Sequence, residues 1–571
     1  MPPPLPSNKK RLHDLDALRA FAMLLGILLH AFLTFIPTPI WPAQDIHQPE
    51  WSIPEFLKNS GLDLPSTISP FAFLLDVIHG FRMQLFFLIS GFFTAMMWKK
   101  RGTAALLKHR AKRILLPLII GTAIIWPLVA LAAVIGGISK ADHSQRPDTV
   151  WTAAKTGDID ALEEFLADGT NPDALDPISG ISALTWTACT GQSEAATLLL
   201  KNGANPNQRD RDGGTPLHGA AFFGNANVGE ILLKNDAAAN LKNNRGDTPT
   251  SLLKTDFDTV NFIASLLEIS VDTKVLEQDR ERLSPLLANA LEKQDSESEV
   301  SPQNKNGDPF ADVLSGVGGL IFGAAMIPVF HHLWFLHYLC WLVILFVIAA
   351  LIHKKKFARK WFPKIGWLIP LAIIPQLFMF MSFGPDTATG ILLWPPKLAY
   401  YAVFFAVGVL CYQNEHFADF PKRHWLKLIL SALPLFLISW YFFNVRNSGY
   451  SAGFEEDRDR IITAHVIYSV TAVAYAWLMI FGMLGIFRRY FPGENRRVRY
   501  LSDASYWLYI AHLPVMFFVQ IFVSTLPIPI ILKLVIICGL TVGGLLIVYQ
   551  LAVRYTFVGI MLNGKKIRPS A

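Results

Sequence analysis

The chain has 571 residues, 52% hydrophobic and 17% charged, with a mean hydropathy of +0.35, which excludes a purely soluble protein. Its net charge of +7 is divided unevenly: residues 140–310 carry 15 Lys and Arg against 27 Asp and Glu, about −12, leaving the remainder near +19. In so apolar a chain a basic excess belongs to loops held on the cytoplasmic side of a membrane rather than to nucleic-acid binding, and four cysteines, three of them in apolar runs, imply neither a disulfide framework nor a metal site.

The N-terminus is Pro-rich and then basic. The apolar run after it, 17–36, exceeds a signal-peptide core and is expected as an uncleaved first span. Apolar stretches of spanning length recur near 71–97, 114–138, 334–352, 366–383, 398–413, 425–443, 461–487, 502–524 and 530–553, giving about ten spans. Lys and Arg crowd the connections after the second, fourth and eighth spans and the C-terminal tail, which puts these and both termini in the cytoplasm of a bacterial inner membrane. The acidic connections after the first span and before the eighth then lie outside. The same parity makes the apolar segment 313–330 re-entrant or interfacial.

Between the third and fourth spans the chain changes character. Gly157, Gly191 and Gly224 recur every 33–34 residues, as do Gly169, Gly203 and Asp236. The segment Thr215-Pro216-Leu217-His218-Gly219-Ala220 matches the ankyrin T-P-L-H-x-A signature, and Thr248-Pro249 opens the next unit. About four repeats are expected over 149–270, on the periplasmic side by parity; His218 serves their fold and is no catalytic candidate. A helical and then flexible linker, 271–312, separates them from the second membrane part, 313–571, the first being 1–140. The expected fold is all-α: a polytopic membrane helix bundle with an inserted ankyrin-repeat solenoid.

Ionisable side chains inside spans are costly and need a reason. In the first span, eleven helical steps of about 100° put Arg19 and His30 on one face about 16 Å apart; a snorkelling anchor and an interhelical hydrogen bond are the bland alternatives. In the second, Asp76, His79 and Arg82 follow at steps of three, so that Asp76 can fix the tautomer of His79; a purely structural polar network would look the same. Phe86, Phe87, Ser90 and Gly91 continue that helix, either lining a substrate or packing closely against a neighbour. His332 and Trp334 open the fourth span, where Trp is also an ordinary interfacial anchor. Ser505, Tyr506, Tyr509 and His512 share one side of the ninth.

Together these segments resemble the family-three membrane acyltransferases, most closely the glucan biosynthesis protein C branch, which succinylates periplasmic glucans. Asp16, Arg19 and His30 carry the Arg-x10-His pattern; Asp76, His79, Phe81, Arg82 and Phe86-Phe87 carry the Arg-x3-Phe-Phe pattern; Ser90-Gly91, His332 to Leu336, and Ser505, Tyr509 and His512 match further blocks. The likeness covers about residues 11–138 and 330–555, and the ankyrin insertion departs from it. It implies transfer of an acyl group, succinyl in that branch, from cytoplasmic acyl-CoA to a sugar hydroxyl outside, with acyl-CoA as a substrate and no tightly bound cofactor. His30 would be the general base, and Arg19 would orient it or neutralise the donor. Arg82 would stabilise the oxyanion or bind donor phosphates, with His79 and Asp76 beside it. Phe86, Phe87, His332, Trp334, Tyr509 and His512 would bind substrate. Implied partners are the glycan acceptor, membrane lipids and a periplasmic protein held by the repeats. Two other classes use many spans and intramembrane charge: an ankyrin-bearing channel, for which no selectivity-filter segment is evident, and a glycan transporter, for which the membrane half lacks an internal repeat.

Overall fold

In the computed structural model, the described residues are 12–36, 41, 43, 45, 49, 51–52, 67–141, 149–176, 179–210, 212–244, 246–267, 269, 271–295, 329–352, 365–380, 382–385, 387, 390–412, 415–452 and 458–563. Apart from one two-residue hairpin pairing, Trp51–Ser52 with Thr67–Ile68, and an isolated bridge, the described regular structure is helical. The chain divides into two compact units, Met1–Asp142 with Asp308–Asn447 and Asp459–Ala571, and His143–Gly307 with Ser448–Arg458.

In the first unit, seven helical stretches among the described residues are long and apolar enough to cross a membrane. One of them, Pro70–Ala132, holds two of the expected spans. It is opened by Ser69, whose side chain accepts from the Ala72 amide, and by Pro70 at the first turn; Gly102, at φ 77°, kinks it between the two spans. Pro395–Cys411, at 17 residues, is shorter, and it packs closely on the helix Pro70–Arg110. A Cβ at Gly91 would collide with the Phe405 carbonyl, and one at Gly408 with the Leu88 carbonyl, so both glycines serve close backbone approach.

The expected span 366–383 is not one helix. Two prolines break it into Ile365–Leu371 and Ile373–Gln376, followed by irregular chain. Backbone that leaves a helix at membrane depth must find its hydrogen bonds in protein. It does: His465 faces the Leu377 carbonyl at 3.1 Å, Arg446 donates to Phe380 O at 2.9 Å, His79 to Phe383 O at 2.7 Å, and the Tyr468 hydroxyl accepts from the Gly384 amide at 2.7 Å. The segment 313–328 lies outside the described residues.

The second unit stacks helix pairs: Val150–Thr156 with Ile159–Ala167, Ala183–Thr190 with Ser193–Lys201, Pro216–Phe223 with Ala226–Lys234, and a short Pro249–Leu252 with Phe257–Leu266. Thr149, Ser182, Thr215 and Thr248 stand at the N-caps of the first helices. Asp236 adopts φ 63° where the two preceding repeats place Gly169 and Gly203 at 83° and 84°, a conformation Asp tolerates better than most side chains. His218 joins Thr215 at 2.8 Å and Asp247 O at 3.0 Å, tying one repeat to the next. The helix Thr273–Asp295, within the segment read as a linker, buries Leu276, Leu283 and Leu287 with the repeats, and its Arg280 donates to the carbonyls of Thr255 and Phe222. It closes the stack. Of the polar stretch after it, residues 296–309 lie outside the described residues.

Candidate active site

The helix His13–Phe32 runs parallel to Arg496–Ser524, whose start is capped by Asn495 accepting from the Arg497 and Val498 amides. Three rungs join them. Arg19 donates to Ser502 Oγ at 3.3 Å, His30 Nδ1 meets His512 Nε2 at 2.8 Å, and Gln520 donates to the His30 carbonyl at 3.1 Å. The eleven residues from Arg19 to His30 and the ten from Ser502 to His512 cover nearly the same rise, about 15–16 Å, so both polar rungs form without distorting either helix.

The hydrogen bonds fix the tautomers. His512 Nδ1 lies 2.8 Å from Tyr509 O and 3.2 Å from Leu508 O. Carbonyls only accept, so Nδ1 carries the proton and Nε2 of the neutral ring is the acceptor toward His30. His30 therefore donates from Nδ1, and its Nε2 keeps the lone pair, the state a general base requires. By the same argument His332, whose Nε2 faces Ile510 O at 3.1 Å, is protonated there, and its buried Nδ1 has no partner among the described residues. Tyr509 donates to the His332 carbonyl at 2.6 Å, and the His332 and His512 rings meet edge-on at 4.7 Å.

These rings line a cavity of about 30 Å³, room for a water-sized group, together with Met23, Gly26, Arg82, Phe86, Trp334 and Phe335. Among the described residues no carboxylate pairs with Arg82, and its Nε is buried without a hydrogen bond. Its guanidinium lies against Gly26, where any Cβ would collide with it. An unneutralised cation in so dry a place is costly unless an anionic group arrives. Trp334 is 5% exposed and packs on Tyr401 and Tyr338, so it is a cavity wall and not an interfacial anchor.

Met23, Phe86 and Phe335 are shared with a second cavity of about 460 Å³ toward the N-terminal end of the first helix. Arg19, Arg110, Arg113 and Arg499 border it, outnumbering the carboxylates Asp16 and Asp503, with Ser90, His109, Ser505 and Tyr506. Arg110 is fixed by a 2.7 Å bond to Thr94 Oγ1.

Among the residues singled out from the sequence, His30, Arg82, Phe86, His332, Trp334, Tyr509 and His512 meet around the smaller cavity, and Arg19 borders the larger one. Asp76, His79 and Phe87 line neither. The expected Asp76 to His79 bond is replaced by the one from His79 to Phe383 O, because the broken helix has carbonyls to satisfy; Asp76 instead faces Trp440. Phe87 is fully buried between Phe335 and Tyr401. Sequence reasoning missed Trp41, Ser502 and Gln520, and it took Arg110 and Arg113 only as topology signals. Ser502 and Gln520 stand ten before and eight after His512, a helical spacing that links them to the same face.

The profile of a family described as "Acyltransferase domain" matches residues 12–152 and 300–550, well over half of the chain. The chain belongs to this acyltransferase family. A second profile, "Ankyrin repeats (3 copies)", matches 150–244 within the acyltransferase domain. Proteins named Glucans biosynthesis protein C are similar to part of the chain. That of Escherichia coli is 33% identical over 128 residues, 22% of this chain and 26% of the relative. Those of Salmonella paratyphi B and Salmonella heidelberg are 34% identical over 121 residues, 21% of this chain and 25% of the relative. The chain spans about a quarter of the length of the curated relatives it matches.

Proposed function

We propose that this protein is a bacterial inner-membrane O-acyltransferase that moves an acyl group, succinyl by the likeness to its relatives, from acyl-CoA on the cytoplasmic side to a hydroxyl of an extracytoplasmic glycan such as a periplasmic glucan. The observation that carries this reading is the 2.8 Å contact of His30 Nδ1 with His512 Nε2, which leaves His30 Nε2 for the acceptor, beside Arg82, with which no carboxylate pairs among the described residues, at one cavity. The arginine-bordered cavity adjoining it suits the phosphates of CoA, and the shared apolar wall of Met23, Phe86 and Phe335 suits the pantetheine arm. In the transfer, His30 Nε2 takes the acceptor hydroxyl proton as the oxygen attacks the thioester carbonyl. Arg82 faces the developing oxyanion, the C–S bond breaks as the ester C–O bond is kept, and the proton passes to the leaving thiolate.

Purified full-length protein incubated in detergent with acyl-labelled succinyl-CoA and a glucan should put label in the glucan and release one CoA thiol per ester. Glycan or ion flux across proteoliposomes, without transfer to any glycan from any acyl-CoA, would overturn the reading.

The charge pattern supports an ankyrin unit outside the cytoplasm. Asn205→Cys should then react with a membrane-impermeant maleimide applied to the periplasmic side. Native Cys189 should stay silent, since it is 5% exposed and burial pushes its thiol up to about 12. Labelling of Asn205→Cys only from the cytoplasmic side would reverse the topology.

The repeats serve to capture a periplasmic protein or to present the acceptor. They take no part in the chemistry. Replacing residues 149–300 by a short Gly-Ser linker should preserve saturated turnover of a small soluble acceptor while weakening modification of the native one. An inserted variant with no transfer even to small sugars would place the repeats in the acceptor site itself.

A further inference from the structure

Beyond the helix bearing His30, Trp41 lies against that ring. Trp41 stacks on His30, with centroids 6.0 Å apart and planes 18° apart, and meets Phe517 edge-on at 4.6 Å. Its indole donates to Gln520 Oε1 at 3.2 Å, and the amide of the same Gln520 donates to the His30 carbonyl. Four residues on, the Asp45 amide bonds to Thr34 O at 2.8 Å, and its carboxylate pairs with Lys533 Nζ at 2.5 Å. Lys533 also donates to Ser524 O at 2.9 Å; both charged side chains are sealed from solvent, at 2% and 0% exposure. An ion pair this buried is a strong positional constraint, because moving either partner leaves the other charge uncompensated. The pair thus pins the returning chain to the helices that carry His512 and Lys533, and the stacked indole is what the pinning holds in place.

We infer that Trp41 is a positioning residue that holds the His30 ring from the side opposite Arg19 and, lining neither cavity itself, forms an outer wall behind that ring on the acceptor side, keeping water from the thioester in favour of the acceptor hydroxyl. The inference rests on the acyl-transfer reading. Trp41 follows the C-terminal end of its helix, and Gln520 lies two turns beyond His512, so the wall stands at the end away from the arginine-bordered cavity. A flat apolar ring backed by one hydrogen bond suits both tasks: it excludes water from His30 and presents a face on which a sugar ring packs. If the wall is lost, water takes the place of the sugar hydroxyl. His30 Nε2 accepts its proton, the new C–O bond is to water, the C–S bond breaks, and the products are the free carboxylic acid and CoA thiol.

The test measures CoA release and acyl-glycan formation together in the full-length protein. In Trp41→Ala the ratio of hydrolysis to transfer should rise about tenfold and the acceptor KM should rise, while the KM for acyl-CoA stays unchanged. Trp41→Phe, which keeps the stacked ring, should restore most of the coupling. Asp45→Asn, which loosens the anchor, should shift the same ratio in the same direction by less. Trp41→Leu replaces the alanine variant if that one inserts poorly. An unchanged ratio in a normally inserted Trp41→Ala or Trp41→Leu protein would overturn the inference and leave the acyl-transfer reading standing. A wild-type protein that releases no CoA with any acceptor would overturn both.

Discussion

His30→Ala is expected to lower kcat for acyl transfer by about 10²- to 10⁴-fold, the span that a positioned general base supplies, while the protein still inserts and elutes as the wild type does. Among the described residues the lost side chain makes one hydrogen bond, to His512, and an interhelical bond in a membrane is worth about 0.6 to 2 kcal/mol, so the stability change is small beside the change in rate. His512→Ala separates orientation from proton transfer. It leaves the base but frees its Nδ1, so the tautomer with Nε2 bare is no longer enforced, and the expected loss is smaller than for His30→Ala. Side-by-side rates and thermal melts of the two variants decide the matter. A His30→Ala protein with wild-type activity would reduce the histidine pair to a helix bridge. Arg19 stands 36% exposed at the larger cavity, so Arg19→Ala is expected to act chiefly through the KM for acyl-CoA.

Arg82→Met is expected to cost about 10²- to 10³-fold in kcat, comparable to removing one donor to a developing oxyanion. The sign of the stability change distinguishes this role from a structural one. A buried guanidinium that stabilised the fold through a partner would, when removed, leave that partner stranded and lower the melting temperature. No carboxylate pairs with Arg82 among the described residues, so methionine, of similar length and easily desolvated, should leave the melting temperature level or raise it. Gly26→Ala provides a second route to the loss of activity, since its methyl group collides with the Arg82 guanidinium and displaces it while every ionisable residue stays in the sequence. A fall in stability with activity retained would assign Arg82 to packing.

Much of the architecture was legible along the chain because its signals are local. A run of about 20 apolar residues crosses a bilayer whatever surrounds it, and a 33-residue period with Thr-Pro at helix starts makes an ankyrin stack from contacts between neighbours alone. The helical period likewise brought Arg19 and His30 to one face, and with them half of the rung pattern. The expected span 366–383 failed for a reason that hydropathy does not encode. Pro370 and Pro375 break the helix, and buried polar groups drawn from distant helices, among them His79, Arg446, His465 and Tyr468, help make that break tolerable. His79, a candidate for the chemistry on its spacing from Asp76 and Arg82, is one of these groups and bonds to Phe383 O.

Sequence by itself determined the membrane class, the inserted repeats and the helices on which the candidate side chains sit, since each follows from composition or period within one segment. Tertiary structure alone decided which of those side chains meet. That His30 meets His512, that no carboxylate among the described residues pairs with Arg82, and that Trp41 bonds to Gln520 depend on segments far apart in the chain, and hydrogen-bond geometry between them has no trace in the period of either one.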